Sequence, residues 1–139
     1  MTKRLPTIFR AAGLIAVLAA VAVPAQAGDI KATVPFSFSV HGRTLPPGTY
    51  SVSTGMVQGT VFVRGFDHGA ASIATRLQSA SNGDPMLVFY KYGDQYVLRQ
   101  VWLGSGEGRE LPKSRLEREL METSRRSAST VERIVVPAL

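Results

Sequence analysis

Few residues of this chain could carry chemistry, and two histidines are the first to consider. Asp67 precedes His68, whereas His41 has no carboxylate beside it in the sequence. A metal site needs several imidazole and carboxylate ligands brought together, and no helix or strand spacing pairs these residues. Because Gly42 and Gly69 follow the two histidines, we interpret both as loop residues. The sequence predicts neither a metal site nor another cofactor.

Catalytic nucleophiles are equally scarce. The chain has no cysteine, which excludes thiolate zinc sites, cysteine nucleophiles and redox CxxC motifs. Neither a G-x-S-x-G elbow nor an S-x-x-K motif occurs in the sequence. Asp67, Asp84 and Asp94 lie in predicted turns, where aspartate side chains hydrogen-bond the local backbone, so we do not interpret them as the paired acids of a glycoside hydrolase. The sequence therefore does not predict an enzyme.

A basic cluster near the C-terminus is the strongest candidate for binding a partner. It could contact an anionic polymer, a lipid headgroup or an acidic protein. The alternative is a solvated face whose charges pair internally, because Glu122 and Arg126 stand at the favourable i,i+4 spacing. This basic cluster consists of Arg109, Lys113, Arg115, Arg118, Arg125 and Arg126.

A helix is predicted to position most of the basic cluster. It should span about residues 115–127, with Ser114 as the N-cap and Glu117 completing a capping box three residues later. Leu116 and Leu120 would form a narrow apolar stripe on this helix.

The clearest β signal is a hairpin. Two segments, Met86–Tyr92 and Gln95–Leu103, flank the two-residue turn Gly93-Asp94. Strict alternation along the second segment would place Val97 and Val101 on one face. Both faces of the hairpin are mainly apolar, so it should be central and covered on both sides. Its tyrosines and tryptophan would be core residues, or would stack on sugars if they were exposed.

The other strands are predicted from apolar–polar alternation and from turn residues. Residues 30–40 alternate with period two and include Pro35, which suits a strand at the edge of a sheet. Pro47 and Gly48 fit the centre of a type II turn, and Gly104–Gly108 is predicted to be a loop joining the hairpin to the helix. Further strands are predicted at residues 50–54, 60–64, 70–77 and 131–136.

The N-terminus predicts export. A positively charged head, the apolar run Ala11–Val23 and the small-x-small sequence Ala25-Gln26-Ala27 are typical of a secretory signal peptide over residues 1–27. The apolar run is shorter than the roughly 20 residues of a membrane span, so no transmembrane segment is expected after cleavage. The full chain carries a net charge of +6, but the signal peptide holds three basic and no acidic residues. The mature domain would therefore carry about +3, too little to predict nucleic-acid binding.

Four stretches of the mature chain occur in a recognisable order. They are Val34–Val40 (VPFSFSV), Leu45–Tyr50 (LPPGTY), Tyr92–Leu98 (YGDQYVL) and Glu110–Arg115 (ELPKSR). With them the chain resembles a group of small, signal-bearing, uncharacterised exported proteins of soil bacteria, which has no assigned activity. The resemblance covers most of residues 30–120. It implies export and a small β-rich domain, and it transfers no site.

Together these features predict an all-β domain over residues 28–139, a small antiparallel sandwich or barrel with one C-terminal helix. The expected function is that of an exported, non-enzymatic binding or structural module, located in the periplasm or outside the cell. Its partner would belong to the envelope or the exterior, and an anionic partner is one candidate. Two alternatives stay open: a carrier of an apolar ligand inside a β-barrel, and an envelope-polymer hydrolase with an unrecognised site. The sequence leaves the oligomeric state open.

Overall fold

The computed structural model describes residues 29–55, 57–79 and 83–139. The predicted signal peptide lies outside these ranges. The described chain is mainly β-structure, with two sheets and one helix near the C-terminus, and it does not form a closed barrel. In chain order the elements are β1 (Asp29–Val34), β2 (Phe38–Val40), β3 (Arg43–Leu45), β4 (Gly48–Ser53), β5 (Thr60–Arg64), β6 (Gly69–Ile73), β7 (Thr75–Gln78), β8 (Met86–Tyr92), β9 (Gln95–Trp102), β10 (Glu107–Glu110), α1 (Arg115–Arg126) and β11 (Glu132–Pro137).

The strands form two sheets that meet along two edges. The first sheet has the order β1-β4-β5-β6, and the second has the order β11-β8-β9-β10-β7. Only Ala74 separates β6 from β7, so one extended segment passes from the first sheet into the second. At the opposite edge, Lys31 and Leu139 exchange two backbone hydrogen bonds of 2.9 and 2.8 Å. Within the described residues, no helix is long and apolar enough to cross a membrane.

The hydrophobic core lies between the two sheets. Strand β1 alternates strictly between exposed and buried residues, as a strand with one solvated face should. The inward residues of both sheets form one cluster, and each large apolar side chain buried in it contributes about 1.5–3 kcal/mol. Its largest members include Phe38, Phe89, Leu87, Leu98 and Leu111.

The predicted strand over residues 30–40 is broken in the structure. β1 ends at Val34, and β2 begins at Phe38 in the second sheet, where Ser39 pairs in parallel with Val97. Pro35 stands at the break because it has no N–H to donate to a sheet ladder. The alternation continued across Pro35, so the pattern alone did not reveal that the chain changes sheets there.

The reversal predicted at Pro47 and Gly48 occurs earlier in the chain. Gly48 has no positive φ and already belongs to β4, so a type II turn centred on this pair is wrong. The tight turn joins β2 to β3 at His41 (φ 47°) and Gly42 (φ 84°). Positive φ at both central residues is the type I′ geometry that matches the twist of a two-stranded hairpin.

A β-bulge interrupts the central hairpin. Phe89 pairs with Leu98 as predicted, but Val88 pairs with Gln100, so Arg99 is the extra residue on β9. A bulge shifts the alternation of the residues that follow it. Val101 accordingly joins the core between the sheets, opposite Leu87, rather than sharing a face with Val97 as predicted.

Part of the glycine-rich segment after the hairpin is a strand. Residues 107–110 form β10, which pairs with β9 on one side and β7 on the other. The loop between β9 and β10 therefore spans only residues 103–106, and the helix is reached through Leu111, which is buried in the core. The prediction missed β10 because its short sequence, EGRE, has no apolar alternation.

Candidate functional site

The most distinctive group of side chains is a buried network centred on Arg99. This arginine is only 7% exposed, and the carboxylate of Glu117 below α1 is fully buried. Arg99 Nη1 donates to both carboxylate oxygens of Glu117 at 3.1 Å. Its Nη2 donates to Oε1 of Glu110 at 3.2 Å, and the hydroxyl of Tyr92 donates to Oε1 of Glu117 at 2.9 Å. The network ties β8, β9, β10 and α1 together.

Local sequence explains how Glu117 reaches this position. Ser114 caps α1, and its Oγ accepts a hydrogen bond of 3.2 Å from the backbone N–H of Glu117. This half of the predicted capping box is confirmed. The side chain of Glu117 accepts from Arg99 and Tyr92 instead of reaching back to the cap. The buried face of the helix therefore carries Glu117 and Ser124, while Leu116 is only partly buried.

The network fixes the protonation of two of its members. Burial, reinforced by the hydrogen bond to the Glu117 carboxylate, raises the pKa of the Tyr92 hydroxyl well above its ordinary value of 10.0. Burial disfavours the charged form of Arg99, but the attraction and hydrogen bonds of Glu117 and Glu110 outweigh it and raise the pKa of the guanidinium. At neutral pH, Tyr92 is therefore a neutral donor and Arg99 a cation.

A cleft of about 440 Å³, here called the α1 cleft, opens beside this network between α1 and the outer face of the second sheet. The phenol ring of Tyr90 lies under the Arg99 guanidinium, 5.8 Å from its centre, which is within cation–π distance. Arg99 Nε is buried without a hydrogen-bond partner. The cleft is lined by Tyr90, Tyr92, Arg99, Lys113, Glu117, Met121, Ser124, Arg125, Ser129 and Val131.

The predicted basic cluster is divided among three places. Lys113 and Arg125 line the α1 cleft, whereas Arg115, Arg118 and Arg126 line a shallow groove on the outer side of the helix. Arg109 lies on β10 and lines a separate cavity at one end of the sheets.

Several charges of the cluster pair along the helix, as the alternative interpretation expected. Arg115 contacts Glu119 at 3.1 Å, and Arg126 contacts Glu122 at 3.3 Å. The contact of Arg125 with Glu122 is looser, at 3.9 Å. These exposed pairs contribute little to stability, but they reduce the positive potential of the outer helix face. Lys113 takes part in no salt bridge within the described ranges.

The two histidines lie in separate exposed turns. His41 borders a groove that also includes Glu119, whose carboxylate is held by Arg115. His68 lies in the loop between β5 and β6, where its carbonyl accepts from the N–H of Gly65 at 2.7 Å. Across the described ranges, no three His, Asp or Glu side chains are grouped to hold a metal ion.

The aromatic residues of the hairpin are distributed over both of its faces. Tyr90 and Tyr92 line the α1 cleft. Tyr96 stacks on Phe36 with ring centroids 3.8 Å apart, on the core side of the sheet. Trp102 is partly buried near Gly108. The four therefore do not form a single platform on which a sugar chain could stack.

The Arg99 network was not predicted from the sequence. A usable signal was present, because Arg99 interrupts a segment that is apolar on both faces and was predicted to be covered on both sides. A buried arginine requires a carboxylate partner, and Glu117 was the one glutamate already assigned to the first turn of a packed helix. No protein-family model, curated protein or solved structure matches this chain.

Proposed function

We propose that this chain is an exported, non-enzymatic binding module and that the α1 cleft is its ligand site. The observation that carries this proposal is the combination of a cleft of about 440 Å³ with a floor held by the Arg99–Glu117 network. Small-molecule sites are usually preformed clefts of roughly 300–1,000 Å³ with a few placed polar groups. A floor that is already ordered reduces the entropy lost on binding.

The lining indicates a ligand with an apolar body and one anionic group. Tyr90, Met121 and Val131 supply apolar surface, and Val131 is 40% exposed. Lys113 and Arg125 supply two cations, of which the first has no carboxylate partner within the described ranges and the second only a loose one. Glu117, the acidic residue lining the cleft, is already neutralised by Arg99.

The protonation of the network supports binding rather than catalysis. Tyr92 has a raised pKa and keeps its proton, and Arg99 keeps its charge. General acid–base catalysis at neutral pH is most efficient with groups whose pKa lies near the working pH. Neither group meets that condition.

The carrier alternative receives less support than binding in an external cleft. A carrier needs an internal cavity, whereas the space between the two sheets holds the packed core cluster and the sheets do not close into a barrel. The hydrolase alternative expects a histidine and a free carboxylate in one cleft. The groove at His41 has a carboxylate, Glu119, but Arg115 already holds it.

The proposal is tested with anilinonaphthalene sulfonate, a fluorescent probe with an aromatic body and one anionic group. We expect saturable binding of one probe per chain, displaced by decanoate and more weakly by decanol, which has no charge. Lys113→Gln and Arg125→Gln should each weaken binding about tenfold, because each removes one charge-assisted contact. Arg118→Gln is the matched control, since Arg118 lies on the outer helix face.

Two results would contradict the proposal. One is the absence of saturable binding to the folded wild-type protein. The other is an equal loss of affinity in Arg118→Gln, which would indicate that the probe senses net charge rather than the cleft. Circular dichroism of each variant establishes that the fold is retained, because this probe also binds partly unfolded chains.

A further inference from the structure

Two arginines are paired across neighbouring strands at the β7 edge of the second sheet. Arg76 on β7 and Arg109 on β10 are direct cross-strand partners. Like charges directly opposite each other destabilise an antiparallel pair. Neither arginine takes part in a salt bridge within the described ranges. Arg109 Nη1 donates to the carbonyl of Gly108 at 2.9 Å, which leaves its other donors for a ligand.

The register shows which way these arginines face. On its other side Arg109 pairs with Val101, a fully buried core residue. Directly paired residues project to the same face of a sheet, so Arg76 and Arg109 lie on the face that is turned toward the first sheet. They therefore stand at the mouth of the space between the sheets, where the core ends.

A cavity of about 410 Å³ opens at this mouth. Both sheets contribute to it: the arginines come from the second, Thr54 and Gly55 follow the end of β4, and Gln58 lies in the turn before β5. The turn is anchored by a hydrogen bond of 2.8 Å from the N–H of Ala74 to the carbonyl of Gly59. Arg76 and Arg109 thus line one partly enclosed polar space whose described lining contains no carboxylate.

We propose that this Arg76–Arg109 cavity binds an oxyanion, either a carboxylate or a phosphate group. A guanidinium binds such groups through two parallel N–H donors, and an anion between two arginines removes their mutual repulsion. The amide of Gln58 and the hydroxyl of Thr54 supply further polar contacts. The site is separate from the α1 cleft, so each can fail without the other.

Calorimetric titration of the purified protein at low ionic strength tests this site. Inorganic phosphate and glucuronate, which carries a carboxylate, are titrated separately. The anion that binds with the higher affinity identifies the kind of oxyanion. We expect one saturable site per chain for at least one of them, weakened about tenfold or more by Arg76→Gln and by Arg109→Gln. Arg43→Gln is the control, because Arg43 is an exposed strand arginine that does not line the cavity. Arg118→Gln, on the outer helix face, should leave this binding unchanged.

Thermal unfolding distinguishes a ligand site from a structural role for the arginines. In buffer without the anion, Arg76→Gln should unfold at the same or a higher temperature than wild type, because it removes a like-charge contact. The bound anion should raise the unfolding temperature of wild type but not of Arg76→Gln. Arg76→Lys, which keeps the charge and loses the paired donors, should bind with intermediate affinity.

The proposal is overturned if neither anion gives saturable binding, or if Arg43→Gln weakens binding as much as Arg76→Gln. It is also overturned if Arg76→Gln lowers the unfolding temperature in the absence of the anion, since that result assigns the arginine to the stability of the sheet.

Discussion

The substitution Glu117→Gln tests the buried network most directly. It keeps the size of the side chain and an oxygen that can accept from Tyr92, but it removes the negative charge that neutralises Arg99. Glu110, the other partner of Arg99, is 36% exposed and contacts it through one oxygen at 3.2 Å. The arginine, only 7% exposed, would be left largely uncompensated.

The expected cost follows from burial. Removing one member of a buried ion pair typically costs 3–5 kcal/mol. Because the amide oxygen of the substituted side chain can still accept from Tyr92, we expect a cost near the lower end of that range, at about 3 kcal/mol. For a domain of this size, each kcal/mol shifts the unfolding midpoint by about 4 °C. We therefore expect a midpoint roughly 12 °C below that of wild type, together with a lower midpoint in urea at an unchanged slope.

A matched control is available on the same helix. Glu119 also accepts from an arginine at 3.1 Å, but Arg115 is 93% and Glu119 62% exposed. Glu119→Gln should change the free energy of unfolding by no more than about 0.5 kcal/mol. If Glu117→Gln and Glu119→Gln cost the same, burial does not determine the strength of these pairs and the reasoning is refuted.

The double variant Arg99→Met/Glu117→Gln provides a second check. It removes both buried charges, and the one carboxylate that loses its partner, Glu110, is 36% exposed to solvent. It should be more stable than Glu117→Gln alone, because most of the cost of the single change comes from a buried guanidinium left without its main carboxylate partner. A double variant that loses the sum of two separate costs would contradict this account.

Three further outcomes are expected, one from the same network and two from elsewhere in the chain. Burial and Glu117 raise the pKa of Tyr92, so the folded state holds the phenol proton more tightly than the unfolded state does. This contribution to stability is complete below pH 10 and is lost as the pH rises beyond it. In urea titrations, the free energy of unfolding should decline less above pH 10 for Tyr92→Phe than for wild type. Gly108→Ala should cost about 1–3 kcal/mol in thermal unfolding, since a Cβ would lie 2.7 Å from the Trp102 ring, whereas Gly83→Ala, with open space around it, serves as the control. Mass spectrometry of the exported protein should give a chain beginning at Gly28, and an uncleaved mass would disprove the predicted processing.

Patterns that depend on neighbouring residues in the chain were sufficient for much of the architecture. The all-β class, the hairpin of β8 and β9 with its turn at Gly93, and a helix capped by Ser114 are all confirmed. Each of these features arises from local rules: alternation, turn conformations and the unsatisfied N–H groups at a helix start. Such rules act over a few residues, so a single sequence displays them.

Long-range arrangement was decided by the tertiary structure. The break at Pro35 and the bulge at Arg99 depend on which strands become neighbours, and alternation alone continues through both positions. The site depends on them as well. Only the folded chain brings Arg99 against Glu117, 18 residues away, and Arg76 opposite Arg109. Charge–charge contacts between distant segments leave no periodic trace, so the sequence supplied the charged residues while packing selected their partners.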